Sequence, residues 1–203
     1  MNNGNEITLA ITGASGTIYA VKLLKELLLR DQQVHLMISD AAKVVFATEL
    51  EIRIPKNSEA MINTMREVTG IKDKGTLRFY AQNDWMSVVA SGSSSPEKMV
   101  VCPCSTGTLS AIATGASNNL IERAADVNLK EKGQLVLVTR EMPLSAVHLE
   151  NMLKLSRLGV SIMPASPGFY HHPETIDDLV NFVVARVLEH LGFNQNICSA
   201  WGY

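Results

Sequence analysis

The sequence predicts an α/β fold, a parallel sheet with helices on both faces. Three observations carry this. Short apolar runs alternate with longer segments of helical periodicity, the pattern of a sheet buried on both sides. The helical signal beyond Pro173 is the strongest in the chain, with Ile176, Leu179, Val180, Val183, Val184, Val187, Leu188 and Leu191 in one stripe. The length, 203 residues, fits one domain over 1–203, and no linker or long repeat divides it.

The elements follow in order. Ile7 to Ile11 reads as a buried strand that breaks at Gly13-Ala-Ser-Gly16. Ala20, Val21, Leu24, Leu27 and Leu28 then mark one face of a helix ending near Arg30. Gln33 to Ile38 is a second strand, and Ser39-Asp40 caps a helix over Ala41 to Glu49. Residues 51–98 read as less regular: Pro55, Gly70 and Gly75 interrupt them, and Ser91-Gly-Ser-Ser-Ser-Pro96 is a loop. Met99 to Cys102 is a strand that Pro103 ends, and Ser105 to Thr108 opens a helix. Gln134 to Thr139 is a strand, Leu144 to Leu158 a helix, and Val160 to Met163 a last buried strand.

Composition narrows the function classes. Hydrophobic residues make up 46%, charged residues 19%, and the net charge is −2, so the chain is neither disordered nor broadly basic. Nucleic acid is therefore not an expected partner. So low a charge content points to surface buried between subunits. Three cysteines, at 102, 104 and 198, fit a reducing compartment rather than a disulfide framework. The N-terminus lacks a basic signal-peptide region, and no apolar run reaches the ~18 residues of a membrane span. The expected location is the cytoplasm, with no membrane contact.

Ligands of open α/β sheets bind beyond the carboxyl ends of the strands. Four polar turns fall there: Gly13 to Gly16, Ser39-Asp40, Ser105 to Thr108, and Arg140-Glu141. Small residues at a helix start let backbone N–H groups approach an anion, with the helix dipole in support. Each turn alone is equally well explained as a tight connection; together they favour a phosphorylated ligand. No P-loop is present, and Gly13-Ala-Ser-Gly16 is too short for a dinucleotide fingerprint, although Asp40 could hold a ribose diol. The cations Arg123, Lys130, Arg140, Arg157 and Arg186 cluster in the second half. Of these, Arg140 is the hardest to read as solvated surface, because it directly follows a buried strand. Cys102-Pro-Cys104 has no second ligand pair for zinc, and no nucleophile elbow supports a triad of Ser15 and His148. Asp177-Asp178 suits a helix start and is not an aspartate-rich magnesium motif, and His171-His172 reads as loop surface.

Eight segments, in order, resemble one family: Thr12-Gly-Ala-Ser-Gly16, Gln82-Asn-Asp-Trp85, Ser91-Gly-Ser-Ser94, Cys102-Pro-Cys-Ser-Thr-Gly-Thr-Leu-Ser110, Asn119-Leu-Ile-Glu-Arg-Ala-Ala-Asp126, Arg140-Glu-Met-Pro-Leu144, Pro167-Gly-Phe-Tyr-His171 and Asp178-Leu-Val-Asn-Phe-Val-Val-Ala-Arg186. The chain resembles the UbiX flavin prenyltransferases, once called hydroxybenzoate carboxy-lyases. The resemblance implies a flavodoxin-like or Rossmann-like subunit in a dodecamer. It implies transfer of a dimethylallyl group from dimethylallyl monophosphate to reduced FMN, closing a ring across N5 and C6. The product, prenylated FMN, would serve UbiD-type decarboxylases, among them those of ubiquinone synthesis.

By the same resemblance Gly13, Ala14, Ser15, Ser39, Ser105, Thr106, Gly107, Thr108 and Arg140 contact FMN. Arg123, Lys130, Tyr170 and Arg186 bind the prenyl phosphate, with Trp85 and Trp201 near the prenyl group. Ser15, Glu49 and Glu141 handle protons. The chemistry suits these types: arginine forks, a lysine and a tyrosine hydroxyl stabilise charge on departing phosphate, and aromatic faces stabilise an allylic cation. Without an aspartate-rich motif, a metal-independent monophosphate donor is the expectation. Two other classes remain open: an FMN-dependent cysteine decarboxylase, whose P-A-S-A-N-T turn is here Pro103-Cys-Ser-Thr-Gly-Thr108, and a non-catalytic flavin carrier.

Overall fold

A computed structural model describes residues 5–199. Its sheet has six parallel strands: β1 (Glu6–Ile11), β2 (Gln33–Ile38), β3 (Thr76–Tyr80), β4 (Lys98–Cys104), β5 (Gln134–Thr139) and β6 (Ser161–Pro164). The helices are α1 (Thr17–Leu29), α2 (Asp40–Glu49), α3 (Ser58–Thr69), α4 (Thr106–Thr114), α5 (Leu120–Lys130), α6 (Ala146–Arg157) and α7 (Ile176–His190). The order β3-β2-β1-β4-β5-β6 reverses its winding between β1 and β4. The crevice where ligands bind in such sheets therefore opens above the carboxyl ends of β1 and β4.

Successive strand residues point to opposite faces, so one strand feeds two cores. Leu9 and Ile11 pack with Leu23, Leu24 and Leu27 of α1 and with Val183, Val184 and Val187 of α7. Ala10, Val101, Leu135 and Leu137 pack on the other face with Leu109 of α4 and with Ile121 and Ala124 of α5. The side chains of Ser39, Asn57, Ser105, Asn119, Ser145 and Thr175 each accept a backbone N–H at a helix start. Each such cap contributes about 1 kcal/mol to its helix. No described helix is long and apolar enough to cross a membrane.

The structure corrects the sequence reading in several places. Residues 51–98 hold a regular helix, α3, and a sixth strand, β3. Gly70 is not an interruption but the end of α3, with φ 70° in the left-handed region that a glycine adopts freely. Pro103 does not end its strand. β4 runs on to Cys104 through a register shift, and the Pro103 carbonyl is bonded by Thr12. β6 lies at the sheet edge and is only half buried. Ile176, assigned to the apolar stripe, is 72% exposed, because α7 begins beyond the rim of the core. His171 is not loop surface: its ring stacks on Phe182.

Candidate active site

Three of the four polar turns meet above β1 and β4. The hydroxyl of Thr12 donates to the Pro103 carbonyl (2.8 Å) and accepts from the Ser105 N–H (2.8 Å). One side chain thus ties the turn after β1 to the turn after β4. A Cβ at Gly13 would lie 2.5 Å from that of Ala41, so glycine lets the first turn close on the start of α2 beside Ser39. The Ser105 hydroxyl accepts from the Thr108 N–H (3.3 Å) and donates to the Thr108 hydroxyl (3.1 Å). Beside it, a Cβ on Gly107 would meet nothing within 4 Å. The Thr106 hydroxyl reaches Glu141 (3.4 Å), whose other oxygen accepts the Met142 N–H (3.1 Å).

Arg140 completes this cradle from β5. Its guanidinium Nε is buried and bonds nothing among the described residues. A buried unpaired donor on a cation is costly, and an anionic ligand at the crevice would satisfy it. The residue set therefore fits the phosphate end of a flavin mononucleotide: an open glycine, hydroxyls at a helix start, and an arginine lacking its acceptor.

Glu49 has a more particular task than its sequence position suggests. Its carboxylate accepts from the N–H groups of Gly16 (3.0 Å to both oxygens) and Thr17 (2.9 Å), and from the Thr17 hydroxyl (2.7 Å). The Ser15 hydroxyl bonds it as well. The last residue of α2 thereby fills the anion position at the start of α1. Partial burial acts to raise its pKa, but the bonds from Ser15, Thr17 and Gly16 outweigh burial and hold it below the ordinary 4.5. An anchored carboxylate of this kind is ionised at neutral pH. Its folded-state pKa is depressed, so its stabilising effect is present above the ordinary value and is lost as pH falls through the folded one. We expect Glu49→Gln to lower stability at pH 7 by about 1 kcal/mol, solvent screening included. The gap from the parent should narrow as pH falls below the ordinary 4.5 and through the lower folded-state value, as thermal unfolding across pH would read.

The cations assigned to the donor phosphate form two separate groups, and Arg157, at the end of α6, belongs to neither. On α5, Arg123 donates through Nε to the Ala90 carbonyl (3.1 Å) and pairs with Asp126 (3.0 Å). Lys130, two turns on, pairs with Glu131. The serine-rich loop lies against this helix: a Cβ on Gly92 would fall 2.7 Å from the Lys130 ammonium and would clash with the Glu131 carboxylate. This close approach was not predicted from the sequence; the isolated glycine among serines is its one signal. The second group is on α7, where Arg186 pairs with Glu189. Tyr170, 69% exposed, belongs to the loop before that helix.

Neither Lys130 nor Arg186 stands near the cradle of its own chain. Lys130 ends α5 just before Gln134, which starts β5 and bonds the Glu97 carbonyl beside the start of β4. Gln134 also holds the carbonyl of His190, one turn beyond Arg186. Both cations thus lie toward the amino ends of the strands. Six residues of strand, ~20 Å, separate that edge from Ser105 and Arg140.

Other assignments resolve simply. Trp85 is 46% exposed in the turns after β3, beside Met86 at 95%. Trp201 lies outside the described residues. His148 accepts the Ser145 N–H (3.2 Å) in the capping box of α6 and is not poised for a triad. Complete burial pushes the Cys102 thiol up strongly and that of Cys104 to about 12, which leaves both unreactive.

Known proteins match this chain along its length in sequence and fold. Residues 1–188 match the Flavoprotein family model. The chain is 56% identical over 202 residues to a flavin prenyltransferase UbiX of Pseudomonas aeruginosa, covering all of this chain and 96% of that one. The crystal structure of AnUbiX (PadA1) in complex with FMN and dimethylallyl pyrophosphate superposes with a TM-score of 0.86 at 35% identity, over 98% of both chains. A dodecameric FMN-dependent UbiX-like decarboxylase from Escherichia coli O157:H7 gives 0.84 at 39% identity, over 98% of this chain and all of that one. With every turn of the cradle in place and matches that run the length of the chain, the protein belongs to the UbiX flavin prenyltransferase family of flavoproteins.

Proposed function

We propose that this chain is a flavin prenyltransferase that joins the dimethylallyl group of dimethylallyl monophosphate to reduced FMN. The observation that carries the reading is the buried Nε of Arg140, which bonds nothing among the described residues above the β1–β4 crevice, in a chain 56% identical to a flavin prenyltransferase over its whole length. Bound reduced FMN would supply the nucleophilic N5 and C6 positions. Gly13 to Ser15, Ser39, Ser105 to Thr108 and Arg140 would hold its phosphate end. Arg123, Lys130, Tyr170 and Arg186 would bind the donor phosphate and stabilise the charge it gains as the carbon–oxygen bond breaks. Trp85 and Trp201 would border the prenyl chain. Glu141, with its weak tie to Thr106, is the freer of the two glutamates to take the proton lost at C6. Glu49 is committed to the start of α1, with Ser15 as its link to the ligand.

Because Lys130 and Arg186 lie at the far edge of the sheet, they would serve the cradle of a neighbouring copy. This requires a homo-oligomer, and the dodecamer of the Escherichia coli relative is the form we expect. The exposed apolar side chains of Met142, Val147, Leu153 and Leu158 around α6 offer surface for such contacts. The protein would act in the cytoplasm, and its product would pass to a UbiD-type decarboxylase. Anaerobic incubation with reduced FMN and dimethylallyl monophosphate, followed by mass spectrometry of the extracted flavin, tests the function. The expected flavin is heavier by one five-carbon isoprene unit; a flavin of unchanged mass would refute prenyl transfer.

A further inference from the structure

We propose that His171, Phe182 and Gly168 form a clasp that seats the Tyr170 loop on α7, which makes His171 a positioning residue for the donor phosphate. This rests on the assignment of Tyr170 and Arg186 to that phosphate. The loop runs from the end of β6 to the Thr175 cap, and it turns back over the helix that follows it. The His171 ring lies parallel to that of Phe182 and offset from it, centroids 5.4 Å apart and planes 9° from parallel. Three residues earlier, a Cβ on Gly168 would sit 2.9 Å from Phe182 Cζ and 3.2 Å from Cε2, so with glycine there the backbone comes down onto that ring without displacing it.

Tyr170 lies between these two points of attachment. Its Cδ2 is 3.2 Å from where a Gly168 Cβ would be, and its side chain faces outward while His171 turns in. Phe182 and Arg186 are four residues apart and share one strip of α7. The clasp therefore fixes the tyrosine relative to the strip that carries the arginine. It does so through the ring face of His171. Both imidazole nitrogens are buried and bond nothing among the described residues, so no hydrogen bond of theirs holds the loop. A phenyl ring at this position should grip equally well, and would remove two buried polar atoms that lack partners.

Amide hydrogen exchange of residues 166–172, measured on the full FMN-loaded protein without donor, reads the clasp directly. In His171→Ala, exchange there should rise about three- to ten-fold, the factor an aromatic pair contributes. In His171→Phe it should stay at the parental level, with Tm equal or higher. The KM for dimethylallyl monophosphate should follow: roughly three- to ten-fold up for alanine, unchanged for phenylalanine, with kcat and FMN retention near parental in both. Unchanged exchange in His171→Ala overturns the clasp. A raised KM in His171→Phe with protection intact also overturns it, because the ring nitrogens would then be the operative atoms. Arg186→Ala separates the two levels of the argument. If it leaves the KM unchanged, the phosphate assignment fails and the positioning role with it, whatever exchange shows of the loop.

Discussion

Mixing Lys130→Ala and Arg140→Ala subunits should restore much of the prenyl transfer that each variant loses alone. On the proposed assignment each single substitution would remove a charge-assisted hydrogen bond to a phosphate, worth about 1.5–3 kcal/mol, so each should lose roughly ten- to a hundred-fold in activity. The two residues sit at opposite edges of one sheet, and a strand length of ~20 Å keeps them from meeting in one chain. In a mixed oligomer, some sites take the intact Arg140 cradle from one variant and the intact Lys130 from the other. Random assembly makes about a quarter of sites whole in a closed symmetric oligomer. Activity of the dissociated and reassembled mixture should therefore rise well above the mean of the two separate proteins, with light scattering confirming equal assembly. A mixture that shows only that mean would mean that Lys130 does not serve the cradle of a neighbouring copy, and its assignment to the donor phosphate would fall.

Much of the fold was legible because the sheet is buried on both faces, which writes its strands as apolar runs. The 51–98 segment was not, although its signals were present. Met61 and Met65 stand one turn apart behind the Asn57 cap, and Thr76-Leu-Arg-Phe-Tyr80 alternates as a half-covered edge strand does. Pro55, Gly70 and Gly75 drew the reading toward irregular chain, yet Gly70 ends a helix. In the site, the turns were legible only as a set: each alone is equally well a tight connection, and it is their gathering at one edge of the sheet that favours a ligand. The contacts between distant segments were not. Thr12 joins two turns 91 residues apart through Pro103, and Glu49 reaches 33 residues back to the start of α1. No local pattern encodes either partner. The separation of the cations from the cradle was equally invisible, because it follows from where α5 and α7 end and not from any motif.

Arg186→Ala should weaken the use of dimethylallyl monophosphate by about ten- to a hundred-fold while FMN stays bound. The guanidinium is more than half exposed, and its partner is Glu189, one turn on along the same helix. A surface pair of this kind contributes under about 1 kcal/mol, so breaking it costs the fold little, and the arginine is free to exchange its carboxylate for a phosphate. Its planar fork can hold two phosphate oxygens at once, which a lysine in its place could not reproduce. Tyr170→Phe should act in the same direction with a smaller loss, since it deletes one neutral hydroxyl donor, worth about 0.5–1.5 kcal/mol, and leaves the ring in the loop. Steady-state kinetics over donor concentration, with flavin content measured on the same samples, would read both. Were α7 merely a covering helix and Arg186 a solvated edge residue, neither substitution would move the donor KM. Parallel loss of FMN and donor would instead mean that α7 had shifted off β5, where Val183, Val184 and Val187 hold it to the core. A lowered Tm would accompany that outcome, so the two causes separate in one set of samples.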